Sequence, residues 1–210
     1  MGHVILVGDS IFDNARYVSG GPDVVAQLRR ELPAGWSASL RAVDGAVTHS
    51  VAGQLRQLPA DSSQLVVSVG GNDALGNSHI LHAPVRIVAE AVLLLAEAQA
   101  RFAADYEAML AAVLAAGLPT ALCTIYDTPP SAPNQPVIKA ALALFNDVIT
   151  RAAFARSLPL IDLRLICSEE GDYANPIEPS VQGGAKIAAA IAALAAGEER
   201  PRSTVIAAAA

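Results

Sequence analysis

Short apolar runs rich in β-branched residues recur along the chain at 3–7 (HVILV), 37–43, 64–69 (QLVVSV), 120–125 (TALCTI) and 158–163 (LPLIDL). Each has the length and residue types of a strand. Between them the apolar positions change to helical spacing, over 22–32, 48–57, 84–116, 136–157 and finally 182–196. Pro22, Pro84 and Pro136 stand near the expected helix starts, where a missing N–H costs nothing. Gly117 stands where a left-handed cap would close the longest helix. Five strands alternating with helices predict an α/β fold, a parallel sheet with helices on both faces. One domain is expected over 1–197, followed by an Ala-rich tail over 198–210 (EERPRSTVIAAAA).

Composition narrows the function more than the fold. Apolar residues make up 53% of the 210, enough for a sizeable core. The longest apolar stretch, 89–116, is broken by Glu90, Glu97, Arg101, Asp105 and Glu107, so it reads as an amphipathic helix and no membrane partner is expected. The net charge is −6 and the only lysines are Lys139 and Lys186, so no basic patch exists to neutralise phosphates and no nucleic acid partner is expected. A strand begins within three residues of the start with no basic leader before it, which points to a cytoplasmic location. Cys123 and Cys167 are expected to be reduced core thiols.

In a parallel sheet, ligands gather at the carboxyl ends of the strands. Four polar clusters fall there: Gly8-Asp9-Ser10, Asp44-Gly45, Gly70-Gly71-Asn72-Asp73 and Tyr126-Asp127. Ser10 at a strand tip can expose its hydroxyl to nearby backbone N–H groups, although a serine there can equally cap a helix. Gly45 lets the backbone turn and bring an N–H close to a ligand. Asn72 can donate from its side chain to a developing oxyanion. Asp13 and Asp73 can equally be local turn formers, and Asp127, which could bind or orient a substrate, reads first as a turn residue before Pro129-Pro130. The GxGxxG spacing of a dinucleotide site is absent, and neither a cofactor nor a metal is expected.

Together these blocks resemble the GDSL, or SGNH, hydrolase superfamily: Gly-Asp-Ser after the first strand, a glycine after the second, and Gly-x-Asn-Asp after the third. GDSIFDN is similar to the variant GDSxxDxG opening, with Ala15 in place of its last glycine. The resemblance implies a flavodoxin-like three-layer sandwich around a five-stranded parallel sheet, and serine ester hydrolysis. It also implies Ser10 as nucleophile, with the N–H groups of Ser10 and Gly45 and the side chain of Asn72 as the oxyanion hole.

The fourth block departs from that pattern. Where the family reads Asp-x-x-His-Pro-Ser, the chain reads Asn175-Pro176-Ile177-Glu178-Pro179-Ser180. Glu178 takes the place of the histidine base and Asn175 that of its orienting aspartate. A solvated glutamate has a pKa of about 4.3 against about 6.5 for histidine. Burial can raise it toward ~6–7. An asparagine beside such a carboxylate can donate a hydrogen bond to it, where an aspartate would repel. Four histidines could offer another base. His3 is at the wrong end of its strand, and His49 is expected to face solvent. His79 and His82 lie in the loop after the Asn72 block, on the correct side.

The expected function is therefore hydrolysis of a small ester or O-acyl substrate by a Ser10–Glu178 pair. The alternative is an inactive relative that binds an acyl, carboxylate or sugar ligand. A third reading pairs Glu178 with Asp9 or Asp13 for other chemistry.

Overall fold

The computed structural model describes residues 1–198 and 205–206. The tail expected from 198 onward lies mostly outside the described residues. Five strands, β1 (His3–Gly8), β2 (Ser37–Leu40), β3 (Gln64–Ser68), β4 (Thr120–Cys123) and β5 (Leu160–Ile161), form one sheet in the order β2-β1-β3-β4-β5. Every pairing is parallel. The helices are α1 (Val24–Glu31), α2 (Val51–Gln54), α3 (Gly71–Gly76), α4 (Val88–Leu114), α5 (Gln135–Ala155), α6 (Leu163–Ile166) and α7 (Val181–Ala195). This is the flavodoxin-like three-layer arrangement that the sequence implies.

Sheet burial on both faces follows from the residues of β1. Val4 and Leu6 enter the core beneath α1 and α7, whereas Ile5 and Val7 enter the one beneath α4 and α5, and none of the four touches solvent. A run without polar alternation is what a central parallel strand requires.

Several elements are shorter than their hydrophobic runs, each for a local reason. β2 ends at Leu40 because the N–H groups of Arg41 and Ala42 both donate to the Leu6 carbonyl, at 2.8 and 2.9 Å, and the chain bulges there. β5 ends at Ile161 because Asp162 leaves the sheet to cap α6, accepting from the Arg164 N–H. α4 begins at Val88, not near Pro84, after a turn in which the Arg86 N–H donates to Glu90 Oε2 at 2.8 Å. The helix expected over 48–57 is a 3-10 turn (Thr48–Ser50) followed by α2.

A small antiparallel hairpin, β6 (Tyr173–Asn175) and β7 (Glu178–Pro179), is absent from the sequence reading and carries Glu178. Its base is fixed to α7 through Asp172, a wholly buried residue. The Asp172 carboxylate accepts from the Ser168 and Glu169 N–H groups at 3.0 Å each and pairs with Lys186 Nζ at 2.8 Å. The Asp172 carbonyl accepts from the Ser180 N–H at 2.8 Å. Gly183 permits this docking, because a Cβ there would lie 2.2 Å from the Asp172 carbonyl oxygen. Gly183→Ala should therefore push the hairpin away from α7 and destabilise the protein by about 1–3 kcal/mol, the usual range for overpacking. Urea unfolding of the two proteins would measure this, and an unchanged midpoint would show that the hairpin does not depend on this contact.

Candidate active site

The turn after β1 exists only because residue 8 is glycine. Gly8 has φ 129°, and a Cβ at that position would lie 1.7 Å from the Ser68 carbonyl oxygen. The close approach lets the Asp9 N–H donate to that oxygen at 3.0 Å. Gln54, from α2, grips the same residue from the other side. Its Nε2 donates to the Gly8 carbonyl and its Oε1 accepts from the Gly8 N–H, both at 2.7 Å. Asn146 of α5 holds Ile125, just past β4, with the same pair of bonds at 2.8 Å each. Two side-chain amides thus bond to backbone groups at the carboxyl edge of the sheet.

Ser10 caps no helix. Its hydroxyl donates to Glu178 Oε1 at 3.0 Å, across 168 positions of sequence, and both residues are buried. Three further contacts hold the Glu178 hairpin over the Ser10 turn. Asn14, wholly buried, donates from Nδ2 to the Pro179 carbonyl at 3.2 Å and accepts the Val24 N–H on Oδ1 at 3.0 Å. The Tyr126 hydroxyl donates to the Ile177 carbonyl at 2.9 Å, and its ring meets Tyr173 edge-on, with centroids 5.2 Å apart. Burial pushes the Glu178 carboxyl up to about 7, against the lowering effect of the Ser10 hydroxyl and with a smaller push from Asp44. Glu178 Oε2 has no hydrogen-bond partner among the described residues.

The other expected residues are placed unequally. Asn72 lines the same cavity as Ser10 and Glu178, and one of its Nδ2 hydrogens goes to the Ala46 carbonyl at 2.9 Å, leaving the second. Gly45, at φ 79°, lines a neighbouring groove with Arg41 and Gln54, not the cavity wall, and its N–H has no acceptor among the described residues. Asn175 does not reach the Glu178 carboxylate. Its Oδ1 accepts from the Ile177 N–H at 2.9 Å, closing the tight hairpin turn, so Asn175 is occupied with its own backbone.

His82 lines the cavity, while His79 is exposed and bonds locally to the Gly76 carbonyl at 3.2 Å. Neither bonds to Ser10 or Glu178. His3 is held by Asp61 and Ser39 at the opposite end of β1. The acidic residues read as turn formers act at long range instead. Asp13 accepts from the Asp44 N–H at 2.9 Å, Asp73 accepts from the Thr48 N–H and hydroxyl, and Asp127 pairs with Lys139 at 3.0 Å. Gln54 escaped the sequence reading, while Asn14 and Tyr126 stood within the GDSIFDN block and the Tyr126-Asp127 cluster with no role read for them.

Ser10 and Glu178 open onto a cavity of about 520 Å³, with walls that include Leu75, Ile80, Leu95, Ile138, Leu142 and Phe145. Its size falls within the usual range for small-molecule sites. Both cysteines are buried free thiols, and no cluster of three His, Cys, Asp or Glu side chains suited to a metal occurs among the described residues. No helix among the described residues is long and apolar enough to cross a membrane.

Comparison with known proteins gives a consistent result. Residues 6–186 match the model of the GDSL-like Lipase/Acylhydrolase family. No curated protein sequence matches the chain. Among solved structures, a lipase from a goat rumen metagenome is similar over 95% of this chain and 99% of its own, with TM-score 0.71 and 18% identity. The extracellular lipase of Streptomyces rimosus covers 89% of this chain and 96% of its own, with TM-score 0.65 and 17% identity. An aryl esterase of M. smegmatis covers 94% and 99%, with TM-score 0.65 and 11% identity. At these identities the likeness establishes a shared fold.

The buried carboxyl gives a stability test independent of any substrate. Glu178 holds its proton up to about pH 7 when folded but only to about 4.5 when unfolded. The folded state therefore binds more protons between these values, and its stability falls as pH rises through that window, by about 1.4 kcal/mol per unit. Relative to Glu178→Gln, wild type should lose about 3 kcal/mol between pH 4.5 and 7. Urea unfolding at several pH values would show this as diverging curves, and parallel curves would contradict the burial of a titrating Glu178.

Proposed function

The chain belongs to the GDSL-like lipase/acylhydrolase family, and from that premise we propose that it hydrolyses a small carboxylic ester or O-acyl substrate, with Ser10 as nucleophile and Glu178 as general base. The observation that carries this reading is the 3.0 Å hydrogen bond from the Ser10 hydroxyl to a buried Glu178 whose carboxyl is pushed up to about 7. At its ordinary value a carboxylate is about 2 units less basic than an imidazole, on the order of 3 kcal/mol of proton affinity. Burial removes that deficit.

In the proposed reaction, ionised Glu178 takes the Ser10 proton as Oγ bonds to the ester carbonyl carbon. The carbonyl π electrons move onto oxygen, where the free Nδ2 hydrogen of Asn72 and backbone N–H groups near Ser10 receive the charge. Collapse of this intermediate expels the alcohol, which leaves with the proton from Glu178. Water then attacks the acyl-serine, giving one proton to Glu178. Breakage of the Ser10 acyl bond returns that proton to Oγ and frees the carboxylic acid. No cationic imidazole forms, so no aspartate is needed to orient and stabilise one, and the hairpin itself positions Glu178. The apolar cavity would take the acyl or aryl part of the substrate.

Hydrolysis of p-nitrophenyl butyrate tests this directly. Turnover should vanish in Ser10→Ala, and kcat/KM in wild type should rise as pH is raised through about 7, as Glu178 becomes ionised. Glu178→Gln should lose about 10²–10⁴-fold, the usual contribution of a general base. Equal inactivity of wild type and Ser10→Ala on a panel of esters would instead favour a protein that binds an acyl, carboxylate or sugar ligand.

A further inference from the structure

Asp9 is the residue beside Ser10 that the reaction above leaves unused. It is 3% exposed and lines the same cavity as Ser10, Asn72 and Glu178. One of its oxygens has a structural task, since Oδ1 accepts from the Ile11 N–H at 3.2 Å and closes the turn. The other has none. Oδ2 lies 3.8 Å from where a side chain on Gly71, the residue before Asn72, would begin, and no donor among the described residues reaches it.

The charged groups around Asp9 oppose its ionisation. Glu178 faces it from β7 and Asp73 from α3, while Tyr126 and Cys123, from the loop after β4 and from β4 itself, are neutral neighbours that supply no positive charge. No lysine, arginine or histidine forms an ion pair with it among the described residues. Burial, followed by repulsion from Glu178 and Asp73, pushes its carboxyl up to about 8, despite the lowering effect of the Ile11 N–H. Between about pH 7 and 8 the two carboxyls thus differ in state: Glu178 is available as an acceptor while Asp9 still holds a proton.

We propose that Asp9 is a further catalytic residue, a neutral acid that donates a hydrogen bond from Oδ2 to the carbonyl oxygen of the bound ester beside the Asn72 amide. The assignment rests on the ester-hydrolase reading of the site. A buried neutral carboxylic acid is a strong donor to a developing oxyanion, because the charge it meets is poorly solvated. An ionised Asp9 would repel the same oxygen, so the sign is fixed: activity falls as pH rises through the titration of Asp9.

The test is the pH dependence of kcat/KM for p-nitrophenyl butyrate between pH 5 and 10, with Ser10→Ala as the background. Wild type should give a bell, and its alkaline limb belongs to Asp9. Asp9→Asn keeps a donor of similar shape but cannot titrate, so the alkaline limb should disappear while the acid limb stays in place. Asp9→Ala removes the donor and should lower the maximum by about 10²–10³-fold. If the alkaline limb survives in Asp9→Asn while turnover still requires Ser10, the Asp9 assignment is overturned and the hydrolase reading stands. Equal rates for wild type and Ser10→Ala overturn both. Should Asp9→Ala fold poorly, the shape of the Asp9→Asn profile still decides.

Discussion

A carboxylate held out of water against a hydroxyl does not persist unless the surrounding chain prevents both groups from turning back to solvent. The contact between Glu178 and Ser10 is of this kind. Ser10 satisfies one oxygen of Glu178, and the other has no partner among the described residues. An unmet buried acceptor costs about 1–3 kcal/mol, more when it is charged. The rest of the fold offsets that cost from a distance. Gly8 and Gln54 fix the turn under Ser10, Asp172 and Lys186 bind the Glu178 hairpin to α7, and Asn14 and Tyr126 tie the two together. None of these residues needs to touch a substrate, yet the geometry of the site depends on all of them.

A glutamate base, on the proposed reading, also changes how charge moves. With a neutral imidazole, attack by serine creates a cation and an anion where there was neither. With a carboxylate, one negative charge merely passes from the base to the oxyanion, and the total stays constant. That route suits a poorly solvated pocket, where separating opposite charges costs more than relocating one. It makes the pocket sensitive to any second anion nearby, however. In such a site a neighbouring carboxyl is tolerable only while it is protonated, and burial of Asp9 meets that condition.

The fold was legible because β1, β3 and β4 are buried on both faces apart from Gln64, and their central residues show it in apolar runs without polar alternation. Strand ends were less legible. Whether β2 continues past Leu40 depends on a bulge made by backbone groups, and whether β5 continues past Ile161 depends on Asp162 choosing to cap a helix. The pairing of Ser10 with Glu178 was suggested by order along the chain. The mutual support expected from Asn175 was not realised, because a two-residue hairpin loop requires its own acceptor for the Ile177 N–H. Gln54 and Asn146 left no trace in the sequence. A lone amide in a helix looks the same whether it faces solvent or completes a strand, and only tertiary structure separates the two.

The first turns of α4 have a mechanical character unlike the rest of the helix. Its fully buried residues begin at Ala98, while Val88, Val92 and Leu93 are more than half exposed. Leu95 and Ala98 nevertheless form part of the cavity wall. That side of the cavity is thus a beam clamped at one end, stiffened by its own backbone bonds and not by interlocked side chains. Segments with few buried contacts open at lower free energy than the core that anchors them. The floor of the pocket is built on the buried sheet, and its outer wall is the less buried part. On the proposed reading, acyl groups of different girth would be admitted by bending one helix end, without moving Ser10 or Glu178.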